Sequence, residues 1–326
     1  MSRRRTQFAG ADFSLRVLTM NSLKPTRFMS AILSFILTAG FTAVVALSLS
    51  SVSYAQLTTN QLQEWLHTPA ATSHIGNTTG NAQAAALPYR RYCVGCHGEM
   101  GDGNGENATW FVTPMYQKPR DFQLATFKCR STPTGTLPTD QDLFDTITRG
   151  MDRSNMPQWN PLSKQERADL VAWIKHYSPR WQTEKPGTPI QIPAEPEITA
   201  ERVKAGQTVF AKMQCYKCHG VQGMANGPSA STLADDLTQP IAPFNFTDGS
   251  RPKCGSTDTD IYRIFMTGLD GTPMPSFADN IKPDEAWDLV FYLRSLQPHN
   301  SFNEKERQIA KQLGLKPVDP NAPPPQ

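Results

Sequence analysis

The chain reads twice, and this repeat restricts it to folds that can be built in duplicate within 326 residues. Tyr92-Cys93-Val94-Gly95-Cys96-His97-Gly98 is answered by Gln214-Cys215-Tyr216-Lys217-Cys218-His219-Gly220, 122 residues later. A second match, without gaps, aligns TDQDLFDTITRGMDRSNMPQW (Thr139 to Trp159) with TDTDIYRIFMTGLDGTPMPSF (Thr257 to Phe277) at an offset of 118. A third, at 119, sets Leu170, Trp173, Ile174 and Tyr177 against Leu289, Tyr292, Leu293 and Leu296. That last spacing, i, i+3, i+4, i+7, is the one-faced pattern of an amphipathic helix. Ser163 and Glu166 form a capping box at the start of the first copy, and Pro283 suits the first turn of the second. Strand alternation is nearly absent, so the expected fold class is all-α, in two copies.

Composition shifts mark the boundaries. Residues 1–55 read as a signal peptide: Arg3, Arg4, Arg5, Arg16, Lys24 and Arg27 precede an apolar run near Met29 to Leu49, and Ser53 and Ala55 are spaced for cleavage before Gln56. The run is long enough that a retained membrane anchor is the alternative, and synthesis from Met20 would leave a more ordinary signal. A polar N-terminal extension follows at 56–80, with a short helix expected near Leu62 to Leu66. The repeats then occupy 81–180 and 199–298, joined by a semi-extended Pro-rich linker at 181–198, within Ser178 to Thr199. A C-terminal tail covers 299–326, and its Asp319 to Gln326 stretch is expected to be disordered.

Six of the 32 Lys/Arg and one of the 29 Asp/Glu lie in the first 55 residues, so the formal +3 of the whole chain becomes about −2 beyond them. A basic nucleic-acid-binding surface is not supported. Six cysteines are too few for a disulfide-dense scaffold, and four fall in the two repeated motifs.

The C-x-x-C-H spacing is the attachment signature of c-type haem. Cys93 and Cys96, and likewise Cys215 and Cys218, stand three apart on one short helical stretch, so each pair can form thioethers to one porphyrin. His97 and His219 then meet the iron from the same side. A thiol redox pair would want a strand–helix context, and a zinc ribbon has no use for a histidine at the same place in both copies. Glycines follow each motif: Gly98, Gly101, Gly103 and Gly105, then Gly220, Gly223 and Gly227. They let the backbone turn sharply and lie close to a porphyrin.

Over Asn81 to Gln297 these residues resemble the class I c-type cytochromes in a tandem, two-haem form. The resemblance implies two covalently bound haem c groups, each in a small helical bundle. It also implies a methionine as second axial ligand, on a loop before the closing helix. Met156-Pro157 and Met274-Pro275 occupy that place in both copies, whereas Met115, Met151, Met224 and Met266 do not pair in this way. The family packs its first helix across its last through a small residue and an aromatic. Gly206 and Phe210, facing Leu289 and Tyr292, fit; in the first copy Ala85 and Tyr89 stand in, with Pro88 beside them.

Cys129 and Cys254 each follow a lysine, Lys128 and Lys253, at equivalent places in the repeat. Three readings stay open: a disulfide that staples two domains near an approximate two-fold axis, two buried free thiols, or a thiolate haem ligand. His67, His74, His176 and His299 have no repeat partner and read as surface or helix residues.

With His97 and Met156 on one iron and His219 and Met274 on the other, no coordination position is left for a substrate. The resemblance thus implies a periplasmic electron carrier, or the cytochrome subunit of a respiratory oxidoreductase, rather than an enzyme in itself. Its partners would be redox proteins acting as donor and acceptor, such as a dehydrogenase, a reductase or a terminal oxidase. The competing readings are a dihaem cytochrome c peroxidase-like enzyme, which needs one open haem, and a thiosulfate dehydrogenase-like enzyme using Cys129 or Cys254 as ligand. Arg90, Arg91, Lys212 and Lys217 flank the motifs and are read either as solvated side chains or as guides for an acidic partner.

Overall fold

In both copies a threonine starts the helix that leads to the Met-Pro loop. Thr139 and Asp142 exchange side-chain and backbone hydrogen bonds at the start of one, and Thr257 and Asp260 do the same in the other. Each box satisfies two amide donors that the first helical turn leaves over. A computed structural model describes residues 71–108, 117–298 and 303–316, all within one compact unit that runs from Pro69 to Gln326. The leader 1–55, the helix expected near Leu62 to Leu66, Met115, His67, His299 and the tail beyond residue 316 lie outside the described residues.

Domain 1 begins with a hairpin, β1 (Thr72–Ile75) and β2 (Thr78–Asn81), antiparallel with Thr72 opposite Asn81. A 3-10 turn (Ala82–Ala85) leads into α1 (Ala86–Tyr92) and α2 (Val94–His97). Then come α3 (Asp140–Arg149), α4 (Lys164–His176) and the single turn α5 (Arg180–Thr183). Domain 2 holds α6 (Ala200–Lys212), α7 (Tyr216–His219), α8 (Asp258–Thr267), α9 (Pro283–Leu296) and α10 (Glu304–Leu313). Among the described residues the regular elements are helical apart from this hairpin.

In domain 2, α6 crosses α9 where Gly206 lies so close that an added Cβ would overlap the carbonyl of Asp288. Next to it the rings of Phe210 and Tyr292 meet edge-on, 5.5 Å between centroids. Domain 1 reaches the same end differently. Pro88 falls in the first turn of α1, where its missing N–H has no helical partner to lose, so the helix is short rather than kinked. Tyr89 packs on Trp173 and Tyr177 at 5.8 and 5.5 Å. The close approach to the closing helix comes from the hairpin instead: a Cβ at Gly80 would overlap the carbonyl of Ala168. Ser73 Oγ donates to that same carbonyl at 2.7 Å, and the Asn81 amide donates to the Asp169 carboxylate at 2.8 Å. Residues 72–80, expected from the sequence to belong to an extension, are therefore part of the domain 1 core.

Two more segments differ from expectation in the same sense. The Pro-rich linker is laid down on both domains. The Ile190 amide donates to the Ser131 carbonyl at 2.8 Å, Trp287 Nε1 donates to the Pro193 carbonyl at 3.2 Å, and Ile190, Ile192 and Ile198 pack on the domain 2 core. The expected tail contains α10, tied to the end of α9 by Asn303, whose side-chain amide donates to the Arg294 carbonyl at 3.0 Å. Period-based reading misses such segments because scattered apolar residues can still find partners in three dimensions.

The domains meet along a polar seam. A disulfide joins Cys129 to Cys254, with Cα atoms 5.1 Å apart. Of the three sequence readings for this pair, the structure therefore shows the bridged form. Arg130, almost wholly buried, pairs with Asp270 at 2.7 Å and donates to the Thr267 carbonyl at 2.5 Å. Asp270 in turn accepts from Thr134 Oγ at 2.6 Å and the Gly135 amide at 2.8 Å. Each charge is thus matched and hydrogen-bonded, the condition under which a buried pair is tolerated.

Candidate functional site

Each domain encloses an apolar cavity, about 450 Å³ in domain 2 and about 150 Å³ in domain 1. Cys215, Cys218, His219 and Met274 line the first; Cys93, Cys96, His97 and Met156 line the second. All eight predicted site residues are thus gathered, four to a cavity, although 55 or more residues separate each histidine from its methionine.

The short helices α2 and α7 put the two cysteines and the histidine on the cavity wall. In the glycine loop after α7, an added Cβ at Gly227 would overlap the carbonyls of Lys217 and Tyr216. Gly105 stands in the same relation to Gly95 and Val94 in domain 1. Such contact fixes the loop against the motif and keeps the cavity wall thin. None of the four motif cysteines takes part in a disulfide. Burial pushes Cys93 and Cys215 up to about 12 and raises Cys96 and Cys218 as well. A thiol–disulfide exchanger needs an accessible thiolate near neutral pH, so these pairs are poor redox dithiols.

The histidines are held by main chain. Nδ1 of His219 lies 2.8 Å from the Phe244 carbonyl, and Nδ1 of His97 lies 3.3 Å from the Arg120 carbonyl. A carbonyl only accepts, so Nδ1 carries the proton and the lone pair resides on Nε2. Burial also lowers both histidines, His97 to about 4, so the rings are neutral at ordinary pH. A neutral imidazole with its other nitrogen anchored is the form that ligates a metal. His97 further stacks on Phe122 with centroids 4.4 Å apart, while His219 is tilted on Phe246 at 5.0 Å.

The methionine loops are built alike. The Met156 carbonyl accepts from the Met151 amide and the Met274 carbonyl from the Leu269 amide, both at 3.1 Å. Ser154 Oγ and Thr272 Oγ1 accept from the amides of the two methionines, at 3.1 and 3.2 Å. Under each loop lies a glycine that sequence reading passed over. Gly150 and Gly268 end α3 and α8 at φ 71° and 70°. A Cβ there would crowd the backbone of Pro157 or Pro275. Their alignment in the repeat was the signal available.

These features fit a haem c: paired cysteines and a metal-ready imidazole from the short helix, a thioether from the Met-Pro loop lining the same cavity, and a largely apolar lining. Among the described residues no cluster of His, Cys, Asp and Glu suits a metal ion by itself. Of the histidines outside the repeated motifs, His74 is exposed and His176 is half-buried against Trp173 and Tyr177. Arg90 pairs with Glu99 at 2.6 Å and Lys212 with Glu285 at 3.2 Å, while Lys217 stands exposed.

Known proteins agree with this geometry. Residues 203–297 match the family described as cytochrome c, and residues 80–174 match that described as cytochrome c oxidase, cbb3-type, subunit III. A chain of the Kuenenia stuttgartiensis reducing HAO-like protein complex Kustc0457/Kustc0458 is 42% identical, with a TM-score of 0.61; the match covers 64% of this chain and 94% of that one. The chain belongs to the class I c-type cytochromes, as a two-domain member. A search of curated proteins finds no match. The cytochrome is thus a multihaem electron-transfer protein that binds haem c.

Its two cavities are neighbours. Gln117 and Lys128 line both, and Arg153, from the methionine loop of domain 1, reaches into the domain 2 cavity, its guanidinium 5.3 Å from the centre of the Phe244 ring. Sequence reading did not single out Gln117, Arg120 or Phe244, because a carbonyl acceptor or a neutral amide leaves no residue-type signal.

Proposed function

We propose that this cytochrome is an exported, periplasmic electron-transfer protein that carries two covalently attached haems, each ligated by histidine and methionine. Cys93 and Cys96 would hold one haem with His97 and Met156 as axial ligands; Cys215, Cys218, His219 and Met274 would hold the other. The observation that carries the reading is the convergence of both C-x-x-C-H motifs and both Met-Pro loops on apolar cavities that share a wall. When bound, each haem supplies a one-electron ferric/ferrous couple. The chain's own part is to exclude water, hold the imidazole by the Arg120 or Phe244 carbonyl, and offer a thioether that favours the ferrous state. With both axial positions filled, the protein passes electrons and does not itself turn over a substrate.

Redox proteins are the partners. The 42% identical relative belongs to a reducing HAO-like protein complex, which supports the role of cytochrome subunit in an oxidoreductase over that of a free carrier. Export rests on the basic and apolar leader at 1–55. Among the described residues no helix is long and apolar enough to cross a membrane.

Near-infrared magnetic circular dichroism of the ferric protein, with intact mass, tests the reading. Two haem additions and two His/Met signatures are expected. A five-coordinate or thiolate signature would overturn it in favour of an enzyme with an open or differently ligated haem.

A further inference from the structure

Lys128 and Lys253 meet on the wall between the cavities. Lys128 is buried and lines both; Lys253, half-buried, lines that of domain 2. Lys128 Nζ lies 3.4 Å from Oε1 of Gln117, and Lys253 donates to the same oxygen. Each lysine directly precedes a cysteine of the Cys129–Cys254 bridge, so a covalent bond sets their spacing.

Arg120 and Arg153 add their charge to the same region, and the nearby carboxylates are Asp235 and Asp236. Arg120 already pairs with Asp236 at 2.9 Å. Asp235 accepts from the amides of Leu237 and Gln239, at 3.0 and 2.9 Å. The two ammonium groups are therefore left with a neutral amide as their common partner. Burial, reinforced by the neighbouring cations, pushes Lys253 down to about 7 and Lys128 to about 8. Gathering like charges away from water is costly unless an anion joins them.

We propose that Lys128 and Lys253, spaced by the Cys129–Cys254 bridge, form one shared cationic cradle for carboxylates. Its ligands are the propionate side chains of the porphyrins held in the two cavities, and sharing them couples the two redox centres. The proposal rests on the two-haem reading above. It has a consequence that a merely structural role lacks. Removing one positive charge favours the more positive ferric state, and from a shared site it does so at both haems.

The test is spectroelectrochemical titration of the holoprotein as wild type, Lys253→Met, Lys128→Met and the charge-preserving Lys253→Arg, with exposed Lys305→Met as control. Either methionine variant should lower both midpoint potentials, by roughly tenfold in each ferrous/ferric equilibrium, or about 59 mV for a one-electron couple. Lys253→Arg and Lys305→Met should stay near wild type. Because the cradle is shared, either lysine suffices if one variant does not assemble. Two haems with unmoved potentials, or a shift at one haem alone, overturn the cradle and leave the electron-transfer reading standing. A wild-type protein that takes up fewer than two haems overturns that reading and the cradle with it.

Discussion

Cys129 and Cys254, which hold equivalent positions in the two repeats, are bridged, their Cα atoms 5.1 Å apart. The bridge therefore joins the two copies of the repeat to each other at matching points of their sequences. Cys129 lines the domain 1 cavity and Cys254 that of domain 2.

The bridge spans 125 residues of sequence, and loop-closure arguments give about 4–5 kcal/mol for a cross-link of that reach. Replacing both cysteines by serine is expected to cost about 2–5 kcal/mol and to lower the midpoint of thermal unfolding. Alkylation of the denatured, unreduced holoprotein should find no thiol at 129 or 254. Labelling at either position would contradict the bridge.

Gly206→Ala should destabilise domain 2 by about 1–3 kcal/mol, because the Asp288 carbonyl occupies the place of the new methyl group. Gly80→Ala should do the same in domain 1 through the Ala168 carbonyl. Urea unfolding followed by haem absorbance measures both. A Gly80→Ala variant as stable as wild type would show that the hairpin is not the counterpart of the α6–α9 crossing.

The Gly206 crossing was expected because the family resemblance implies a small residue and an aromatic where the first helix meets the last, and Gly206 and Phe210 stand four apart on one helix face. The Gly80 contact was not. It sits on a strand, and what it touches is fixed by a hairpin of four-residue strands too short to show alternation. The same division runs through the site. Cys93, Cys96 and His97 announce themselves by type and spacing, Met156 by the family resemblance and its match in the repeat, and the same holds for their counterparts in domain 2. The carbonyls of Arg120 and Phe244 that hold the imidazoles belong to a backbone every residue has. Helices α5 and α10 were hidden for another reason: both lie beside proline-rich stretches, and composition alone reads such stretches as linker or tail.

Met274→Ala and Met156→Ala should each lower one of two midpoint potentials, since methionine sulfur favours ferrous iron and axial ligands govern a span of roughly 0.8 V. Gly268→Val should produce a weaker form of the Met274 effect. A β-branched residue at φ 70° crowds the Pro275 backbone and displaces the loop without touching the thioether itself. Potentiometric titration separates the cases: Met274→Ala moves one transition far, Gly268→Val moves the same transition less, and the domain 1 transition stays in place. A Gly268→Val protein with wild-type potentials would remove the glycine from the positioning of Met274.

Acid should loosen the closing helices through their first turns. The backbone N–H and hydroxyl of Ser163 hold the Glu166 carboxyl below its usual range. The Lys282 backbone N–H, with Lys212 beside it, does so for Glu285. A carboxyl depressed in the folded state adds stability that is complete above the unfolded-state value, about 4.3, and is lost as pH falls through the lower folded value. Wild type should therefore lose stability between about pH 5 and pH 3. Glutamine at 166 and 285 keeps the shape of the box but not its charge. The double variant Glu166→Gln/Glu285→Gln should be less stable than wild type at pH 6, and the two should converge near pH 3. Urea midpoints across that range decide it. A gap that stays constant with pH would mean that the carboxylates act by shape alone.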